Sequence, residues 1–157
     1  MRKMYLSAPL PFVGQKRMFA KEFMKVLEQY PDGTLFVDLF GGSGLLSHIT
    51  KSLKPHSTVI YNDFDNYRFR MKHIPQTNQL LADIREMVGN SVPRHKIIKG
   101  ELRERIFSRI EQEENSTGYV DFITLSSSIL FSMKYKLSVQ DMRKEALYNN
   151  LSFASKV

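Results

Sequence analysis

Apolar residues recur along the chain with two different spacings, and the order of those spacings gives the order of elements. Residues 1–17 hold Pro9, Pro11 and Gly14 and read as an extended loop. Over residues 18–30, Phe19, Phe23, Val26, Leu27 and Tyr30 share one helical face, opposite Lys21, Glu22, Lys25 and Glu28. That spacing predicts a helix with its aromatics in the core, stopped by Pro31-Asp32-Gly33. A short apolar strand follows at 35–37, then a helix pattern (Leu45, Leu46, Ile49, Leu53), then a second apolar strand from Thr58. Beyond residue 65, Leu80, Leu81, Ile84 and Val88 predict a short helix, and 93–100 a loop or short strand. Leu102, Ile106 and Ile110, with Phe107 beside them, mark a further helix, and 111–118 is a polar break. The apolar run 120–133 is too long for one strand and is expected to be a buried helix. Ser138 is placed as the N-cap of a last helix through Val139, Met142, Ala146 and Leu147.

The strand–helix–strand stretch carries the chemistry. Its first strand runs into Asp38-Leu-Phe40-Gly-Gly42-Ser43-Gly44, and its second ends in Asn62-Asp63-Phe64-Asp65. Glycines at 41, 42 and 44 let the backbone turn sharply and approach a ligand closely. Ser43 and the helix N-terminus behind it offer unpaired N–H groups. Asp63 lies 25 residues after Asp38, where a carboxylate can accept from the hydroxyls of a ribose. No third glycine completes the dinucleotide fingerprint, and Asp38 before the loop would repel a pyrophosphate but welcome a cation. S-adenosylmethionine, with an adenosine at one end and an amino group at the other, fits that pattern better than NAD. An ordinary strand-to-helix turn, glycine-rich for tightness alone, is the competing reading.

Asp38 to Gly44 resembles the cofactor loop of amino-methylating DNA methyltransferases, and Pro9-Leu-Pro-Phe12-Val-Gly14-Gln-Lys16-Arg17 resembles the N-terminal motif of the Dam-like (D12 class) adenine-N6 group. Asn62-Asp63 stands where that family keeps its ribose acid. The resemblance covers roughly residues 5–150. It implies an α/β fold of the Rossmann-like S-adenosylmethionine-dependent methyltransferase type, with an incomplete sheet and a helical target-recognition region. Residues 1–65 would be the cofactor part and 66–157 the part that meets DNA. Phe12, Gly14, Lys16, Asp38, Phe40, Gly42, Ser43, Gly44 and Asp63 are the expected cofactor residues, with Lys16 also near the target base.

Composition adds a partner. The 157 residues carry a formal charge of +7, and 66–110 holds ten Lys or Arg against four acids, nearly the whole excess. Phosphate contacts of this kind give affinity without sequence information, so double-stranded DNA is the expected partner. Arg68, Arg70, Lys72, Arg94, Lys96 and Lys99, with Lys16, are the candidate contacts, against the bland alternative of a solvated helix face. There is no cysteine, and the four histidines (48, 56, 73, 95) show no ligand spacing, so no metal is expected. No apolar run reaches membrane-span length and no signal-peptide core opens the chain, which makes the cytoplasm the default.

The catalytic residues of the resembled family are the gap. Adenine-N6 methylation uses a polar–Pro–Pro–aromatic turn, whose first residue and a carbonyl accept from the adenine amino group. The last proline here is Pro93, and 149–153 has the ends of such a motif without its middle. No catalytic residue is therefore assigned: the expectation is an amino-terminal portion of a methyltransferase, inactive alone. A decoy or DNA-binding module that keeps the fold without turnover, and a nucleotide-binding enzyme such as a dehydrogenase, are the alternatives. The strand at 35–37 would lack its family neighbour and present an open apolar edge. Self-association, pairing with a separate carboxyl-terminal half, or cover by the chain's own helices would each relieve it. Size-exclusion chromatography with light scattering distinguishes them: a stable monomer counts against the first two.

Overall fold

The computed structural model describes residues 4–14, 16–132 and 134–151. Gln15, Met133 and the segment 152–157, with Phe153 of the carboxyl-terminal stretch, lie outside them. The protein is mixed α/β with small sheets, divided into two compact units, Met1–Met71 and Lys72–Val157.

In the first unit a 3-10 turn, Lys16–Phe19, leads into α1 (Ala20–Glu28). Strand β1 (Leu35–Asp38), helix α2 (Leu45–Leu53) and strand β2 (Thr58–Tyr61) form the expected βαβ unit, followed by α3 (Tyr67–Lys72). The strands are parallel, with Leu35 opposite Thr58 and Asp38 opposite Tyr61. Asp32 levels their starts, because its Oδ1 accepts the N–H groups of Gly33 and His56, both at 3.0 Å. The core is small: Ala20, Leu27, Leu45 and Ile49, with Phe23, Met24, Phe36 and Leu46 packed on it.

Helix α1 departs from its expected register. The 3-10 turn delays the helix to Ala20, and the stripe turned inward is Ala20, Phe23, Met24 and Leu27. Phe19, Val26 and Tyr30, placed in the core by the sequence pattern, are exposed. Residues 66–71 also belong with the first unit rather than with the region that follows. The hydroxyl of Tyr67 accepts from the N–H of buried Leu10 at 3.0 Å, and Arg70 Nη2 donates to the Pro11 carbonyl at 2.9 Å.

The second unit is mostly helical: α4 (Ile74–Val88), β3 (Ile97–Ile98), α5 (Gly100–Thr117), α6 (Phe122–Ile129), α7 (Val139–Arg143) and β4 (Leu147–Tyr148). Its core gathers Leu80, Ile84, Ile98, Ile106, Phe107, Ile110, Leu125, Ile129, Met142 and Leu147, among others. The polar stretch 111–118 is not a break. Helix α5 continues to Thr117 and stops only where Gly118 adopts φ 70°. Its acids are tied in: Glu113 to Arg109 at 2.8 Å, and Glu111 to Arg143 at 3.0 Å. Arg103 and Arg143 both lie over the buried Phe107 ring, at 4.7 and 4.4 Å from its centre. Hydrogen bonds from Arg143, then Arg103, hold the Glu104 carboxyl below its ordinary range.

Helix α7 starts where expected, with Ser138 Oγ accepting from the N–H of Asp141 at 3.2 Å. It ends at Arg143, and Leu147, expected in the helix, pairs instead with Ile98 across the β3–β4 ladder. The apolar run supplies α6, whose cap is Asp121. Its carboxylate accepts from the N–H of Thr124 at 3.0 Å and from the Thr124 hydroxyl at 2.8 Å. Replacing Asp121 with Ala is expected to cost about 1–2 kcal/mol of stability, the upper part of the range for a lost N-cap, read as a lowered urea midpoint at unchanged slope.

Candidate cofactor pocket and basic turn

The glycine loop is shaped by what lies on either side of it. A Cβ at Gly41 would sit 2.1 Å from the Tyr61 ring and 2.8 Å from the Asn62 carbonyl. At Gly42, φ is 51° and a Cβ would fall 2.9 Å from the Phe12 ring. The absence of side chains therefore lets two aromatic rings close on the loop, Tyr61 from β2 and Phe12 from the segment before α1.

That closure leaves a cavity of about 380 Å³ at the carboxyl ends of the two strands. Six of the sequence-derived cofactor residues line it: Phe12, Gly14, Lys16, Phe40, Gly42 and Ser43. Leu39, Gly41, Asn62, Phe64 and Asp65 join them. Phe40 and Phe64 are 80% and 86% exposed, so the mouth is aromatic and open. Lys16 Nζ donates to the Phe40 carbonyl, tying the amino-terminal segment to the loop. Asn62 Nδ2 donates to the Leu39 carbonyl at 3.0 Å and joins the strand tips.

Three expected residues stand outside that wall. Gly44 lines a neighbouring cavity with Ser43, His48 and Tyr61. Asp38 lies beneath the loop, accepting from Ser47 Oγ at 2.7 Å, with its other oxygen 3.8 Å from Lys16 Nζ. Asp63 caps α3: Oδ1 accepts from the Tyr67 N–H at 2.7 Å and Oδ2 from the Arg68 N–H at 3.0 Å. The carboxylate that faces the cavity from this strand end is Asp65, exposed and without a partner among the described residues. Both acids lie beyond the end of β2 at Tyr61, where the chain turns, and Asp63 is the one taken up by the first N–H groups of α3.

The basic residues sort into two kinds. Arg70 is 7% exposed and lies over the Tyr67 ring at 5.5 Å, so its charge is spent inside the first unit. Arg103 and Arg109 are paired with Glu104 and with Asp83 and Glu113. Arg68, Lys72, Arg94, Lys96 and Lys99 are exposed, and among the described residues their side chains meet no acid. Two of these, Arg94 and Lys96, lie on one turn leading into β3, and Lys99 follows that strand as the N-cap of α5. His95 adopts φ 63°, Lys96 N–H donates to the Pro93 carbonyl at 3.1 Å, and Arg94 and Lys96 project from it. Asn149 braces this turn: its carbonyl accepts from the His95 N–H, its N–H donates to the Lys96 carbonyl, and its side chain reaches Val92 O.

A glycine loop leaving a parallel strand, roofed by an amino-terminal segment, places an open cavity at the carboxyl ends of the strands of a mixed α/β protein. The chain belongs to the D12 class N6 adenine-specific DNA methyltransferase family, whose profile matches residues 12–156. A Haemophilus influenzae protein named "Putative methyltransferase" is 41% identical over 152 residues, covering 94% of this chain and 50% of that protein. The chain thus spans about half the length of the curated relative it matches. No solved structure matches it.

Proposed function

We propose that the chain is the cofactor-binding and DNA-binding part of an adenine-N6 DNA methyltransferase with a Rossmann-like sheet, and that it binds S-adenosylmethionine without turning over alone. The observation that carries this is the cavity itself, in which two separate sequence motifs converge on one space. The lining suits the cofactor. Apolar rings stand at an open mouth, and an ammonium (Lys16) and a carboxylate (Asp65) in the lining would suit a zwitterionic amino-acid end and a sugar. Lys16, Phe12 and the loop 40–43 would hold the amino-acid end, and Phe64 and Asp65 the nucleoside. Asp38 acts from below by keeping Lys16 and Ser47 in place. When bound, the cofactor supplies a methyl group activated by its sulfonium charge. The residues here bind and orient it; none of them is positioned by sequence or geometry to accept from an adenine amino group.

Lys96, Lys99 and Arg94, with Arg68, Lys72 and Lys16, are the proposed phosphate contacts; Arg70 is withdrawn from that set because it is buried. The remaining half of the methyltransferase, or a second copy, is the proposed cover for β1. One edge of this strand pairs with β2, while the other meets no strand among the described residues. The cytoplasm, where DNA and cofactor are both present, is the proposed compartment.

Isothermal titration of the purified chain with S-adenosylmethionine is expected to give micromolar binding, with none for NAD and no methyl transfer to double-stranded DNA. Binding of NAD instead, or methyl transfer by the chain alone, would each overturn part of this reading. For DNA, Lys96→Ala and Lys99→Ala are each expected to reduce the slope of log affinity against log salt by about 0.9, the value per lost phosphate contact. An unchanged slope would place the nucleic acid elsewhere.

A further inference from the structure

The two walls of the cavity come from different places, the glycine loop after β1 and the tip of β2, and one side chain touches both. Tyr61 is the last residue of β2, opposite Asp38 in the ladder. Its ring fills the space that a Cβ at Gly41 would need and lies 3.7 Å from the position of a Cβ at Gly44. Its hydroxyl is 2.6 Å from the Gly42 carbonyl oxygen and 3.1 Å from Asp63 Oδ1. A phenol has one proton, and both neighbours are acceptors, so that proton is shared between loop and carboxylate. Burial first, and then the hydrogen bond to Asp63, push the Tyr61 pKa up, which keeps the group a donor. Asp63 in turn fixes the first N–H groups of α3.

We propose that Tyr61 is a positioning residue that sets the distance between the glycine loop and the nucleoside-facing tip of β2, so that a ligand gripped at both ends finds the two walls already spaced. This rests on the cofactor reading above. The residue does not line the cavity of about 380 Å³; it acts through Gly42 and Asp63. Fixing two walls in advance lowers the ordering cost of a ligand that spans them and gives little to a ligand that meets only one.

Tyr61→Phe keeps the ring against Gly41 and removes only the hydroxyl that joins loop and carboxylate. Two titrations read its effect, one with S-adenosylmethionine and one with 5′-methylthioadenosine, which lacks the amino-acid end. The full cofactor is expected to bind about tenfold more weakly, as for loss of one hydrogen bond to a charged group, while the truncated nucleoside changes less than about twofold. Equal losses for the two ligands, or no loss, overturn the proposal, since a merely loosened fold would weaken both alike. Amide hydrogen exchange on the free chain supplies a ligand-independent arm. Faster exchange is expected at Gly44 and Tyr67 in the variant and not in the second unit; unchanged exchange there overturns the strut. If the unsubstituted chain binds neither ligand, the cofactor reading fails, and the exchange result alone decides whether Tyr61 ties loop to strand.

Discussion

The contact on which the glycine-loop cavity depends is the approach of the Tyr61 ring to the backbone of Gly41, closer than any Cβ would permit. It requires a glycine there for a reason that precedes any ligand. The ring holds up the loop, the loop carbonyl of Gly42 meets the hydroxyl, and Phe12 closes from the opposite side onto Gly42. Once both rings are seated, the cavity follows as the space between Phe12, the loop and the strand tips. Lys16 then locks the roof, because its ammonium bonds the Phe40 carbonyl and lies near the Asp38 carboxylate. A motif that reads as a ligand signature is therefore also a packing solution.

The second unit is organised by a different constraint, the disposal of charge. Arg143 serves Glu104 and Glu111 while lying on the Phe107 ring, so a guanidinium links α5 to α7 with both its charge and its flat face. Arg109 does the same work between Asp83 of α4 and Glu113 of its own helix. These pairs neutralise cations and leave Arg94 and Lys96 on the turn before β3, and Lys99 after it, without an acid among the described residues. A count of basic residues overstates the charge offered to a polyanion. What a phosphate would meet is the remainder, two of whose members sit on one braced turn.

Much of this was legible in the sequence. The βαβ unit needed only a strand, a glycine loop and a helix pattern, and six of the lining residues followed from two short motifs. The misplacements share a cause, since periodicity gives a helix but not its first residue. With α1 starting at Ala20 after a 3-10 turn, the inward stripe shifts and Phe19, Val26 and Tyr30 face solvent. The stretch 111–118 looked like a break because its helix is polar; Glu113 pairs with Arg109 four residues earlier on the same helix, whereas Arg143, the partner of Glu111, becomes visible only when α7 is in place. The roles of Asp63 and Asp65 turn on which of them caps α3, which residue type alone does not encode. Asn149, discounted in the sequence as a chance remnant of a catalytic motif, proves to be the brace of the basic turn.

Side-chain alternation along the two strands bears on what the first unit still exposes. Along β1 and β2, Phe36 and Val59 are half-buried, while Leu35, Val37 and Ile60 are 59%, 54% and 51% exposed. A parallel sheet is ordinarily covered on both faces. Burying one such aliphatic side chain contributes about 1.5–3 kcal/mol, and roughly half of each remains available here. Covering the face would therefore add a few kcal/mol, comparable to the margin by which a small unit is stable at all. The unit has four residues in its buried cluster and cannot spare that sum easily. A second polypeptide element laid across Leu35, Val37 and Ile60 would thus stabilise the strands whose tips form the cavity. Cofactor affinity and association at this face would then rise together, because both act on the same two strands.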